Sequence, residues 1–150
     1  CPNEAAGVGE NRDKFLLRPG VTSVEQLELL RFTGQLMGIA LRTRNLLNLD
    51  LASFVWKPLV GASLEESDLK AVDYAAWKAL QLRNQHDDEV SEEEWDNLLA
   101  PRWTTMLSDQ TIVELLPDHA RCRVPYARRW EYVRLVLNCR LRESTQAVSA

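Results

Sequence analysis

Apolar residues are densest between Leu29 and Leu41, and they do not keep to one stripe. Leu27, Leu30, Phe32, Met37, Ile39 and Leu41 cover much of a helical circumference. A helix that is apolar on most sides is expected to be buried, so the pattern predicts a central helix from Ser23 to about Thr43. Ser23-Val-Glu-Gln26 supplies a capping-box start. Gly34 and Gly38 lie four apart on one face of it. Each is less favourable than alanine in a helix interior by about 1 kcal/mol, and the pair predicts close approach of another backbone.

The pattern then shortens. Asp50 is placed to cap a short helix through about Lys57, which Pro58 kinks or ends. Ser63-Leu-Glu-Glu66 is a second box, predicting a helix to about Asn84 with a stripe of Leu69, Val72, Ala76, Trp77 and Leu80. His86 to Val90 reads as a polar acidic loop, and Ser91-Glu-Glu-Glu94 opens a short acidic helix carrying Trp95, Leu98 and Leu99. Trp56, Trp77, Trp103 and Trp130 fall mostly at core spacing. Trp95, among acids, is the tryptophan expected to be exposed. Beyond Pro101, Arg102–Leu107 and Thr111–Leu116 are short and rich in β-branched and aromatic residues, as strands are. Pro117-Asp118-His119-Ala120 makes a turn, and Arg121–Val124 a return strand. A last helix starts near Pro125–Ala127 and runs past Leu141 on a face of Trp130, Val133, Leu137 and Leu141. Residues 1–22, with a turn at Pro19-Gly20, read as an irregular lead-in. The fold class predicted is α+β, mainly α: about five helices with a small antiparallel β-hairpin.

Composition adds limits. The 150 residues are 45% hydrophobic and 27% charged, with net charge −4. That is the balance of one globular domain and favours neither nucleic acid nor anionic membrane. The longest uncharged apolar run, between Arg31 and Arg42, is too short to span a bilayer. The chain opens at Cys1, with neither methionine nor a leader pattern, and is expected to be an excerpt of a longer protein. Three widely spaced cysteines make no disulfide framework. A cytoplasmic location, or a nuclear one, is the expectation.

Candidate chemistry is sparse. Arg121 and Arg123 flank Cys122 and could favour its thiolate, but alternation along a strand points Cys122 away from both, and a structural thiol is the reading there and at Cys139. His119-x-x-Cys122 is half a zinc site without its second pair. Asp118 beside His119 sits in a turn, where Asp bonds local backbone. Seven arginines and one glutamate occupy residues 121–142, a solvated face or a partner for the acidic residues 85–96. Glu131 and Arg134 have the spacing of a surface pair. Gly7-Val-Gly9 lacks the strand and the lysine of a phosphate loop. No catalytic, cofactor-binding or metal-ligating residue is assigned.

Several segments, in order, resemble the HECT-type ubiquitin ligase domain, closest to its HERC-like subgroup. They are Gly9-Glu-Asn-Arg-Asp-Lys14, Leu30-Arg-Phe-Thr-Gly-Gln-Leu-Met-Gly-Ile-Ala-Leu-Arg-Thr43, Leu49-Asp-Leu-Ala52, Val55-Trp-Lys57, Leu64 to Asp73, Val113-Glu-Leu-Leu-Pro117, Arg123-Val-Pro125, and Trp130-Glu-Tyr-Val-Arg-Leu135 to Arg140-Leu141. Pro58, the Pro125-Tyr126-Ala127 cap and Arg142-Glu-Ser-Thr-Gln146 depart from the family pattern. The resemblance implies that residues 1–150 are the first part of the N-terminal lobe, a scaffold segment. It also implies that the conjugating-enzyme subdomain and the catalytic C-terminal lobe, with its cysteine in a Thr-Cys context, lie elsewhere. The implied activity is transfer of ubiquitin from a conjugating enzyme, through a cysteine thioester, to substrate lysine. The partners implied are the conjugating enzyme, ubiquitin and a protein substrate, reached through segments outside this chain, with no cofactor, nucleic acid or membrane. This piece alone is expected to be inactive. The alternatives are a non-catalytic interaction module or degenerate lobe, and an unrelated helical scaffold in which the glycine-paired helix and the hairpin would not pack together.

Overall fold

A computed structural model describes residues 1–21, 23–83 and 91–148. The predicted acidic loop at 86–90 and the helix end at Asn84 lie outside the described residues. The lead-in is more ordered than its prolines and glycines predict. It forms α1 (Pro2–Ala6), with Pro at its start and Gly7 closing it at φ 66°. Buried Asn3 pins it to the body. Its amide donates to the carbonyls of Glu10 (2.8 Å) and Ala71 (3.0 Å), and its Oδ1 accepts from the Tyr74 N–H (2.7 Å).

Helix α2 (Val24–Thr43) starts where Ser23 Oγ accepts from the Gln26 N–H at 3.2 Å, and ends at Arg44 in the left-handed region. Its extent matches the sequence pattern but its surroundings do not. No residue of α2 is buried, and an added Cβ at Gly34 or Gly38 would meet nothing within 4 Å. The expectations of a central helix and of a glycine-mediated backbone contact are therefore corrected: dense apolar content shows that a surface must be covered, not by what. Packing therefore does not favour the family reading over the unrelated scaffold, which expected this helix and the hairpin not to pack together.

Asp50 does not cap α3 (Ser53–Leu59). Ala52 holds the N-cap position, and Asp50 instead pairs with Lys14 at 3.2 Å. Pro58 stands in the last turn of α3, which stops one residue later. The box predicted at Ser63 forms two residues on, between Glu65 and Asp68, and opens α4 (Glu66–Val72). The single long helix predicted here is two. Asp73, at φ −143° and ψ 76°, breaks it, and its Oδ1 accepts from the Ala76 N–H at 3.0 Å to start α5 (Tyr74–Arg83). A short polar side chain that satisfies its neighbours' N–H groups competes with helix continuation.

The Ser91 box forms in both directions and opens α6 (Glu92–Glu94), which passes into a π-helical turn at Trp95–Leu99. Trp95 is the opposite of its expectation. It is 1% exposed, and its Nε1 donates to the Val124 carbonyl at 2.8 Å. The acids occupy the turn before it, while the ring points back into the core. Strands β1 (Thr104–Met106) and β2 (Ile112–Glu114) pair antiparallel, Thr105 opposite Val113. The return strand shrinks to a single antiparallel bridge, Arg123 with Arg102, where like charges directly opposite discourage a longer ladder. A 3₁₀ turn (Tyr126–Arg128) leads into α7 (Arg129–Val148), with Pro125 before it giving no side-chain cap.

Phe54, Leu69, Val72, Trp95, Trp103, Val124, Tyr132 and Val136 form the core. The predicted face of α7 is rotated. Its buried positions are Arg129, Tyr132, Val136, Arg140 and Glu143, while Trp130 is exposed and Val133, Leu137 and Leu141 are half-buried. Hydrogen bonding makes the polar members admissible inside. Tyr132 donates to the Thr104 carbonyl (3.2 Å), and Arg140 donates to the Met106 carbonyl (3.0 Å) and to Asp73 (2.8 Å). No helix of the described residues is long and apolar enough to cross a membrane.

Candidate functional site

The surface with the plainest unmet requirement is the apolar flank of α2. The chain reaches it from two sides. Phe15 and Leu51 form a parallel bridge, with the Phe15 N–H on the Asp50 carbonyl (2.6 Å) and the Ala52 N–H on the Phe15 carbonyl (3.1 Å). That bridge sets the start of α3 beside α2 and leaves a groove of about 500 Å³ lined by Leu17, Leu27, Leu30, Met37, Leu51 and Leu59, with Glu28 and Arg31 among its polar residues. A second groove of about 360 Å³ continues past Met37 to Leu41, Leu46, Leu47, Leu49 and Trp56. Outside the grooves Leu29, Phe32 and Ile39 are each more than half exposed. A run of exposed apolar residues on this scale marks an interaction surface rather than scatter. The arrangement can bind apolar surface and presents no group able to transfer one.

Beneath α3 a polar knot fixes the floor of this region. Asp68, 5% exposed, accepts from Ser53 Oγ (3.2 Å), Lys57 Nζ (2.7 Å) and the Glu65 N–H (2.8 Å). Burial alone would push its pKa up, but the bonds from Lys57 and the Glu65 amide outweigh burial and hold it below the ordinary aspartate value. Sequence reasoning missed this residue. Its signal was the Glu65-x-x-Asp68 spacing, hidden behind the Ser63 box two residues earlier.

The other candidates do not converge. Cys122 is exposed and its thiol lies in a bend. Cys139 is half-buried, and burial, with Glu143 nearby, pushes its pKa up against the pull of Arg140. That is the setting of an inert thiol. His119 Nδ1 lies 2.6 Å from the Pro117 carbonyl, and Asp118 takes a left-handed turn conformation at φ 62°. Among the described residues no group of His, Cys, Asp and Glu could hold a metal ion. The arginines are partly engaged. Arg123 Nη1 donates to the backbone carbonyl of Asp96 (2.8 Å), a contact with the segment that does not use its carboxylates, and Arg128 pairs with Glu131 at 2.7 Å. Arg134 acts on Glu131 only as a nearby charge.

Comparison with known proteins gives this arrangement a family. The profile of the HECT-domain (ubiquitin-transferase) family matches residues 5–149. The chain is 38% identical over 149 residues to the E3 ubiquitin-protein ligase HERC2 of Mus musculus, and equally to that of Homo sapiens, covering 99% of this chain and 3% of each relative. It is 37% identical over 91 residues to the probable E3 ubiquitin-protein ligase HECTD4 of Homo sapiens, covering 60% of this chain and 2% of that relative. The chain thus spans a small part of the length of the curated relatives that it matches. By the reach of the family profile and by this identity, the chain belongs to the HECT-domain (ubiquitin-transferase) family.

Proposed function

We propose that residues 1–150 are the first part of the N-terminal lobe of a ubiquitin-protein ligase and act there as scaffold. The ligase accepts ubiquitin from a conjugating enzyme as a thioester and passes it to a substrate lysine, two successive acyl transfers through a cysteine thiolate. The thiolate belongs to another segment, because none of Cys1, Cys122 and Cys139 stands in a Thr-Cys context. The conjugating-enzyme subdomain and the catalytic lobe are likewise placed outside these residues. The protein works on protein partners, without nucleic acid, membrane or cofactor, and its three free thiols suit the cytosol or the nucleus.

The observation that carries this reading, beside the family, is the uncovered flank of α2. In the proposed lobe, Leu29, Phe32, Ile39 and the two grooves seat other parts of the same domain. The test uses conjugating enzyme charged with ubiquitin. A protein that carries this segment together with the rest of its HECT domain is expected to form a reducible ubiquitin adduct and to ubiquitinate lysine, whereas residues 1–150 alone form none under non-reducing conditions. A reducible adduct mapped to Cys122 or Cys139 overturns the assignment of scaffold. Absence of transfer by the complete domain favours the non-catalytic or degenerate lobe instead.

A further inference from the structure

Where α7 crosses the hairpin and the α4–α5 junction, one cation faces two carboxylates out of water. The side chains of Arg140 and Glu143 are 4% and 2% exposed, that of Asp73 13%. Their bonding is unequal. Asp73 is supported on both oxygens, by Arg140 Nη2 at 2.8 Å and by the Ala76 N–H at 3.0 Å. Glu143 Oε2 has the Ser108 N–H at 3.3 Å and lies 3.0 Å from Arg140 Nε. The guanidinium is turned by its bonds to Asp73 and to the Met106 carbonyl, so that Nε finds no well-directed acceptor. One positive charge cannot neutralise two buried negative ones, and an unpaired buried charge is taken up as a proton rather than tolerated.

We propose that Glu143 is a proton-uptake site that ties the β1–β2 turn to α7, closed when its carboxyl is neutral and loosened when it ionises. Asp73 has the guanidinium on one oxygen and the start of α5 on the other. Among the described residues Glu143 has Ser108, through its amide and its side chain, and a misdirected N–H of the shared guanidinium. The charged and titratable groups about it are Arg140 and Cys139 on α7, with Asp73 of the helix junction on the far side of the shared guanidinium. On the turn side Glu143 meets Ser108, whose neighbour Asp109 is occupied by Arg18 at 3.8 Å and by the Thr111 N–H. Burial pushes the Glu143 pKa up, and Arg140 and the side chain and amide of Ser108 offset this only in part. The sign follows. A carboxyl whose folded pKa is raised contributes its full stability below the ordinary glutamate pKa, and loses it as pH rises through the folded value. This is opposite in direction to Asp68, so the two carboxylates are separable by pH.

The test is hydrogen exchange at the Ser108 amide in the full chain as pH is raised from the acid side, corrected for intrinsic exchange. Protection is expected to fall with pH by up to about tenfold per pH unit, the limit for one linked proton. Glu143→Gln, a permanent neutral mimic, is expected to remove that dependence and to keep the amide protected at neutral pH. Parallel pH profiles for the two proteins overturn the proposal. Should the variant fail to fold, the carbon-13 titration of the Glu143 carboxyl in the unaltered chain decides alone: a midpoint above the ordinary glutamate value supports it, and a midpoint at or below that value refutes it.

Discussion

Replacing Gly38 of α2 by alanine should strengthen this helix. Glycine in a helix interior is less favourable than alanine by about 1 kcal/mol, through backbone entropy and exposed peptide groups. The gain is realised only where the new methyl meets no obstacle. At Gly38 it meets nothing within 4 Å, and the same holds at Gly34, so each substitution should contribute about 1 kcal/mol and the pair about 2. No residue of α2 is buried, so the helix should open locally rather than with the core. The assay is therefore amide exchange resolved along Val24–Thr43, where 1 kcal/mol appears as roughly fivefold slower exchange per substitution. Faster exchange on Gly38→Ala would refute the reasoning, since it would mean that the glycine face is already covered. The same position probes the scaffold role. Gly38→Leu should be tolerated in residues 1–150, and should impair ubiquitin transfer only in a domain whose other parts pack on this face.

Gly9 should behave in the opposite way. At φ +78° its Cβ would fall 2.5 Å from Asn3 Nδ2 and 2.9 Å from Tyr74 Cβ, so Gly9→Ala should lower thermal stability by about 2–4 kcal/mol, combining the left-handed penalty with disturbed Asn3 hydrogen bonds; an unchanged Tm would refute it. Asp68 has its pKa held down in the folded state, so its contribution is complete above the unfolded value of about 3.9 and is lost as pH falls through the folded one; Asp68→Asn should flatten the acid limb of a denaturation series. Trp95→Phe removes the donor to the buried Val124 carbonyl and should lower stability by about 1–3 kcal/mol, measured by urea unfolding. The uncovered α2 flank should make residues 1–150 bind a hydrophobic dye and associate as concentration rises, and a dye-silent monomer in light scattering would show that the flank is not sticky.

Local rules carried far in this chain because they act within one turn of it. The ends of α2, the Ser91 box, the hairpin and the mainly α class were legible from capping residues, apolar density and β-branched runs. The ordered set of segments resembling the HECT domain was legible as well. Tertiary structure decided what competes over distance. Asp68 moved the α4 start because Lys57 and Ser53 of another helix reach it. Asp73 broke the long helix while also receiving Arg140 from 67 residues away. Trp95 went inside because Val124 offered its carbonyl, and the buried face of α7 rotated to bring Arg140 and Glu143 to the hairpin and the helix junction. The α2 flank stayed open for the converse reason: apolar density shows the need for a neighbour, and only the arrangement of the remaining elements determines whether these residues provide one.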